Sequence, residues 1–198
     1  MKMLSRAAFL LSTAMIGSTA QAAVSMYGIE IGSPLNIKEC PKSKIAFKWE
    51  YQSSTELCAQ DASPSEMPAD FKYSARIVFP AGKMPSGIAG RWVSATIIDG
   101  VVQGLIAWTG GYSTQDIVYR QLQEKFGPPV TSSRQPLASG SGAIMGGIVA
   151  SWSINGGIEV NFTGVIGAID QGMIHLGTLK GIAAYFERVD KAIQRTPM

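Results

Sequence analysis

The chain has 198 residues, 46% of them hydrophobic, with 17 Lys and Arg against 14 Asp and Glu. Without Lys2 and Arg6, 15 basic residues face 14 acidic ones, a net of +1, which argues against the strongly basic face of a nucleic-acid binder. The longest apolar runs fall well short of the ~20 residues a membrane-spanning helix needs.

The first 22 residues read as a secretory signal. Lys2 and Arg6 start it, Ala7 to Ile16 is mostly apolar, and Ala20-Gln21-Ala22 forms an A-x-A cleavage site. The apolar part is too short for a membrane anchor. Cleavage after Ala22 would leave one domain, 23–198, in the periplasm or outside the cell. Ala23, not Cys, directly follows the cut, so no lipid anchor is expected there.

Ser33-Pro34 has the form of a helix start, running to Cys40 and stopped by Pro41. Cys40 and Cys58 are the only cysteines, and in an oxidising compartment an even pair forms a disulfide. The alternatives are a reactive thiol or half a metal site, and a metal site would need more His or Cys than the lone His175. Lys38, Lys42, Lys44 and Lys48 cluster nearby. They suit a solvated strand edge better than an anion site. Ile45, Phe47, Trp49 and Tyr51 alternate with Ala46, Lys48, Glu50 and Gln52, so one strand with an aromatic face is expected. Residues 53–69 read as a loop, and Tyr73 to Phe79 as the next strand. After the Gly/Pro loop Pro80 to Gly90, Asp99-Gly100 joins Trp92–Ile98 to Val101–Trp108, a hairpin signal.

The clearest helix follows. Ser113-Thr114-Gln115-Asp116 approximates a capping box, and Val118, Leu122 and Phe126 make one apolar stripe. Gly127 and Pro128-Pro129 end it. Ala138 to Gly147 is glycine-rich. Asn155-Gly156 then turns Ala150–Ile154 into Ile158–Phe162, and Asp170-Gln171-Gly172 is expected to pair Val165–Ile169 with Met173–Leu179. Ile182, Tyr185, Phe186, Val189 and Ile193 lie at helical spacing and predict a C-terminal amphipathic helix.

The fold class is therefore α+β: an antiparallel meander with packed helices, in two helix-then-sheet units that suggest a pseudo-repeat of 27–111 and 112–198. Gly28-Ile29-Glu30-Ile31-Gly32 before the first expected helix, and Gln115 to Phe126 followed by Gly127-Pro128, carry a resemblance. The arrangement resembles the helix-then-meander modules of exported bacterial proteins, such as the β-lactamase-inhibitor-protein fold and the outer-membrane assembly lipoprotein BamE. The resemblance implies an exported helix-and-sheet module, although this chain lacks that lipoprotein's lipid-attachment Cys.

Catalytic groups do not converge in the sequence, and no catalytic, cofactor or metal site is expected. His175 reads as a surface or hydrogen-bonded residue; as a base for Ser141 or Ser151 it would need a carboxylate such as Asp170. The Gly140 to Gly147 run lacks the G-K-[ST] of a phosphate loop. A carboxylate pair among Glu50, Asp99, Glu159 and Asp170 would make a small hydrolase. The abundant Gly, Ile, Val and Met of the second half would suit an apolar-ligand carrier with a cavity of ~300 Å³ or more. The third and favoured reading is a binding module that recognises a protein or envelope component through an open sheet face. Trp49, Trp92, Trp108 and Trp152 are its candidate partner-binding residues, with core filling as their alternative role.

Overall fold

The structure, a computed structural model, describes residues 23–61, 72–138, 144–154 and 156–194. The expected leader, residues 62–69 of the 53–69 loop, Gly140 to Gly142, Asn155 and Pro197 lie outside the described residues. In chain order come the small hairpin β1 (Ser25–Met26) and β2 (Ile29–Glu30), then the hairpin β3 (Lys42–Ile45) and β4 (Lys48–Tyr51). A first meander follows: β5 (Cys58–Gln60), β6 (Lys72–Val78), β7 (Trp92–Ile98) and β8 (Val101–Thr109). Helix α1 (Gln115–Phe126) leads into a second: β9 (Thr131–Ala138), β10 (Ile144–Ile154), β11 (Ile158–Thr163) and β12 (Gly172–Thr178). Helix α2 (Leu179–Gln194) closes the described chain.

The two meanders form one eight-stranded antiparallel sheet, in the order β5-β6-β7-β8-β12-β11-β10-β9. They meet along β8 and β12, where Ile106 pairs with His175 and Leu105 with Leu176. Asp99-Gly100 makes the β7–β8 turn as expected: both residues have positive φ, 54° and 74°, which Asp and Gly tolerate well. The long edge strand β9 tolerates Pro136 because its outer side needs no ladder donor.

Side chains of one strand alternate between faces, so neighbouring residues of β12 locate the two helices. Ile174 and Leu176 join Val118 and Leu122 of α1 in the main core, with Val160, Phe162, Ile148, Ala150 and Trp152. Met26, Ile29 and Ile31 of the N-terminal segment close the same side. His175 points the other way, and its ring meets Tyr185 and Phe186 of α2 at 5.3 and 6.0 Å. The helices therefore lie on opposite faces. On the second face α2 runs over β12, β8 and β7. Gly181 lets its first turn sit on the sheet, since a Cβ there would fall 2.1 Å from the Gln103 carbonyl oxygen. Thr178 caps that turn by accepting the Gly181 N–H at 3.1 Å.

Several expectations need correction. Residues 33–40 are not helical, because the sheet takes up their backbone groups. Val102 N–H donates to Ser33 (3.0 Å), Ala59 N–H to Lys38 (2.9 Å), and Cys40 N–H to Ala59 (2.9 Å). The expected single strand from Ile45 is broken at Ala46-Phe47 into the β3–β4 hairpin. Val165–Ile169 forms no strand; β12 pairs with β11 and β8 instead. The capping box is absent: Thr114 makes no side-chain cap, and a short 3₁₀ turn, Gly111–Ser113, precedes α1. Gln115 serves elsewhere. Fully buried, it accepts the Ile148 N–H (2.8 Å) and donates to the Gly146 carbonyl (2.9 Å), tying α1 to β10. The Cys40–Cys58 disulfide is formed as expected.

Candidate functional site

The most exposed large apolar side chain of the described residues is Phe47, and two further exposed ones share its element. In the β3–β4 hairpin Phe47 is 93% exposed, Trp49 70% and Ile45 48%. Ile45 pairs with Lys48, which leaves a two-residue turn, Ala46-Phe47, with φ of 46° and 71°. Two consecutive positive φ values make a turn of the type that favours Asn and Gly. For Ala and Phe this backbone is a strained choice, costing of order 1 kcal/mol or more per residue.

The register places apolar and cationic residues together on both sides of the hairpin. Lys44 faces Trp49 across the strands, and Ile45 faces Lys48. One face thus carries Lys42, Lys44, Trp49 and Tyr51; the other carries Ser43, Ile45, Lys48 and Glu50. Neither strand pairs with the main sheet. A lone two-stranded hairpin is marginal in water, and here the base is clamped. Residues 38–40 bond to β5 along the sheet edge, and Cys40 is bonded to Cys58 of that strand. Gln52 N–H donates to the Pro41 carbonyl and Asp61 N–H to the Tyr51 hydroxyl, both at 2.8 Å. Lys42 pairs with Glu39 and lies 4.7 Å from the centre of the Tyr51 ring. The result is a finger, fixed at its root and free at its tip.

The four tryptophans do not form one surface. Trp49 is on the finger. Trp152 is 2% exposed beneath α1, beside Tyr119, and donates Nε1–H to the Gly127 carbonyl at 2.9 Å. It is a core residue and is unavailable to a partner: β10 presents that side to the helix. Trp92 and Trp108 are half-buried on the second face, Trp92 opposite Val78 and beneath Arg76, Trp108 opposite Met173. With α2 over the middle strands, the rest of that face at β9 to β11 carries Thr131, Ser133, Ser151, Ser153, Asn161 and Thr163. It is polar rather than aromatic.

His175 is 2% exposed, not a surface residue, and its Nε2 has no hydrogen-bond partner. Burial lowers its pKa to about 4. Ser151 shares its face, but Asn161 lies between them in the register, so two strand spacings of ~4.8 Å separate the backbones. Asp99 and Asp170 stand beyond opposite ends of β8, roughly 26 Å apart along the strand. Glu50 is on the finger and Glu159 on β11. The described residues include no group of three or more His, Cys, Asp or Glu placed to hold a metal. A groove of ≈ 180 Å³ between Met26, Tyr27 and α1 is smaller than the ~300–1,000 Å³ of drug-sized ligand sites.

The aromatic alternation from Ile45 to Tyr51 hid the finger, because Ala46-Phe47 has no turn chemistry. The signal that could have found it is the lysines. Lys44 and Lys48 bracket Ile45 to Phe47 too closely for a buried strand. No protein-family model matches the chain, and neither the curated proteins nor the solved structures yield a match.

Proposed function

We propose that the protein is an exported, non-enzymatic binding module, acting in the periplasm or outside the cell, that grips a protein or envelope component with the β3–β4 finger. One observation carries this reading: Ile45, Phe47 and Trp49 stand in water on a hairpin that buries none of them. Covering such side chains stabilises by about 1.5–3 kcal/mol each, so a partner that encloses the tip recovers what the fold leaves unused. Aromatic anchors of this kind dominate binding energy at interfaces. The disulfide at the finger's root fits an oxidising compartment.

A photo-crosslinking residue placed at position 47 in an expressing host tests the reading. The expected result is an adduct from position 47 and none from the exposed Val130 in the α1–β9 connection. Equal labelling from both positions, or none from position 47, removes the finger as the contact element.

A further inference from the structure

We infer that the finger's ligand is the surface of a membrane rich in anionic phospholipid, into which the hairpin tip dips as a wedge. The inference rests on the proposed role of the finger and adds the chemistry of what it meets.

Charge and shape both lead to this ligand. A groove on a protein recognises one face of an inserted strand or hairpin, with the other left polar. Near its tip this finger carries an exposed apolar residue on each face. Trp49 is apolar on one side and Ile45 on the other, with Phe47 at the turn between them. Such a tip suits a fluid medium that can close around it from every side. Each apolar strand residue is also paired across the hairpin with a lysine, Trp49 with Lys44 and Ile45 with Lys48. The two cations therefore flank the apolar tip on opposite faces, at adjacent rungs close to one level.

That level matches a headgroup layer. Two residues of strand separate Phe47 from Trp49, about 7 Å, within the ~5–10 Å to which interfacial segments bury their apolar face. Phe47 would enter the acyl boundary, and Trp49 would sit at the headgroups, where its amphipathic ring is favoured. Lys44 and Lys48 would extend along their own stems to lipid phosphates. Among the described residues of the β3–β4 hairpin the only acidic side chain is Glu50, set back from the turn on the Ile45 face. The clamped root matters too: a tip that is already ordered loses little further entropy on insertion.

Sedimentation with vesicles tests this directly. The probes are large vesicles of phosphatidylcholine alone and of equal parts phosphatidylcholine and phosphatidylglycerol. The protein is expressed from its whole coding sequence and recovered from the soluble fraction. Binding is expected to the anionic vesicles, to weaken as ionic strength rises, and to be far weaker on neutral ones. Phe47→Ser is expected to weaken binding at least about tenfold, the effect of one lost buried aromatic. Lys44→Gln with Lys48→Gln removes about fivefold per lysine on anionic vesicles only. Val130→Ser, an exposed apolar residue off the finger, leaves binding unchanged. Each finger substitution is at an exposed site, and unchanged thermal unfolding confirms that the variants fold. Equal binding to both vesicle types overturns the inference, as does undiminished binding by Phe47→Ser. Absent vesicle binding, with crosslinking from position 47 to a protein or to a second copy of this chain intact, overturns the lipid assignment and leaves the binding finger standing.

Discussion

The β3–β4 and β7–β8 hairpins turn through similar backbone geometry with opposite residue choices. The second uses Asp99-Gly100, which accepts positive φ at little cost, and its strands are buried among the neighbours β6 and β12. The first uses Ala46-Phe47, which resists that backbone, and its strands pair only with each other. In one hairpin local preference and tertiary packing agree; in the other both are set aside and an aromatic ring is held out in water. Breaks in local consistency tend to gather at functional sites. The difference teaches that the finger's sequence is better suited to what lies outside the protein than to the protein's own stability.

The largest effects separate the two settings by their tryptophans. Trp152→Ala should lower the unfolding free energy by about 3–5 kcal/mol, the cost of emptying a packed core site. Trp49→Ala should change it by less than ~0.5 kcal/mol, as at other exposed positions. Urea unfolding at neutral pH measures both. A large loss from Trp49→Ala would mean that the finger packs against the body.

Acid should weaken the sheet side and spare the finger. His175 ordinarily titrates near 6.5, but burial brings it to about 4 in the folded protein. Between those values the unfolded chain takes up a proton that the native protein refuses. Stability from this group is therefore complete above pH ~6.5 and falls as the pH drops towards ~4, by roughly 3 kcal/mol. Its cross-strand neighbours Ile106 and Asn161 and the rings of Tyr185 and Phe186 offer no charge to offset this. Unfolding of wild type and His175→Phe across this range isolates the contribution, because both share the titrating carboxylates. Parallel pH slopes in the two proteins would contradict the assignment.

The smallest effect addresses the turns themselves. Replacing Ala46-Phe47 by Asn-Gly should stabilise the protein by about 0.5–1 kcal/mol, by matching residues to the backbone. The reverse exchange, Asp99→Ala with Gly100→Phe, should destabilise by ~1–3 kcal/mol. Thermal unfolding reads both, and a destabilised Asn-Gly finger would show that the turn is not strained.

Much of the sheet was legible in the residues. Asp99-Gly100 marked its hairpin, and the Val118–Leu122–Phe126 stripe with Gly127 and Pro128 marked α1 and its end. The apolar spacing from Ile182 to Val189 marked α2 but could not say which face of the sheet it would cover, since either face offers apolar residues to a helix. The polar run Thr131-Ser132-Ser133-Arg134-Gln135 has no alternation to reveal an edge strand. Ser33-Pro34 looked like a helix start because tertiary hydrogen bonds to Val102 and Ala59 leave no local trace. The finger was the least legible. Its residues alternate as a strand should, and the fold bends them at a point where local propensity opposes a turn.

Amide hydrogen exchange with and without anionic vesicles tests the account most directly, because it reads both hairpins in one experiment. Lys44 to Glu50 should gain protection when vesicles are added, while the amides around Asp99 and Gly100 exchange as before. Unchanged exchange across the finger, or protection confined to the polar face of β9 to β11, would contradict the claim that the strained tip is where this protein meets its partner.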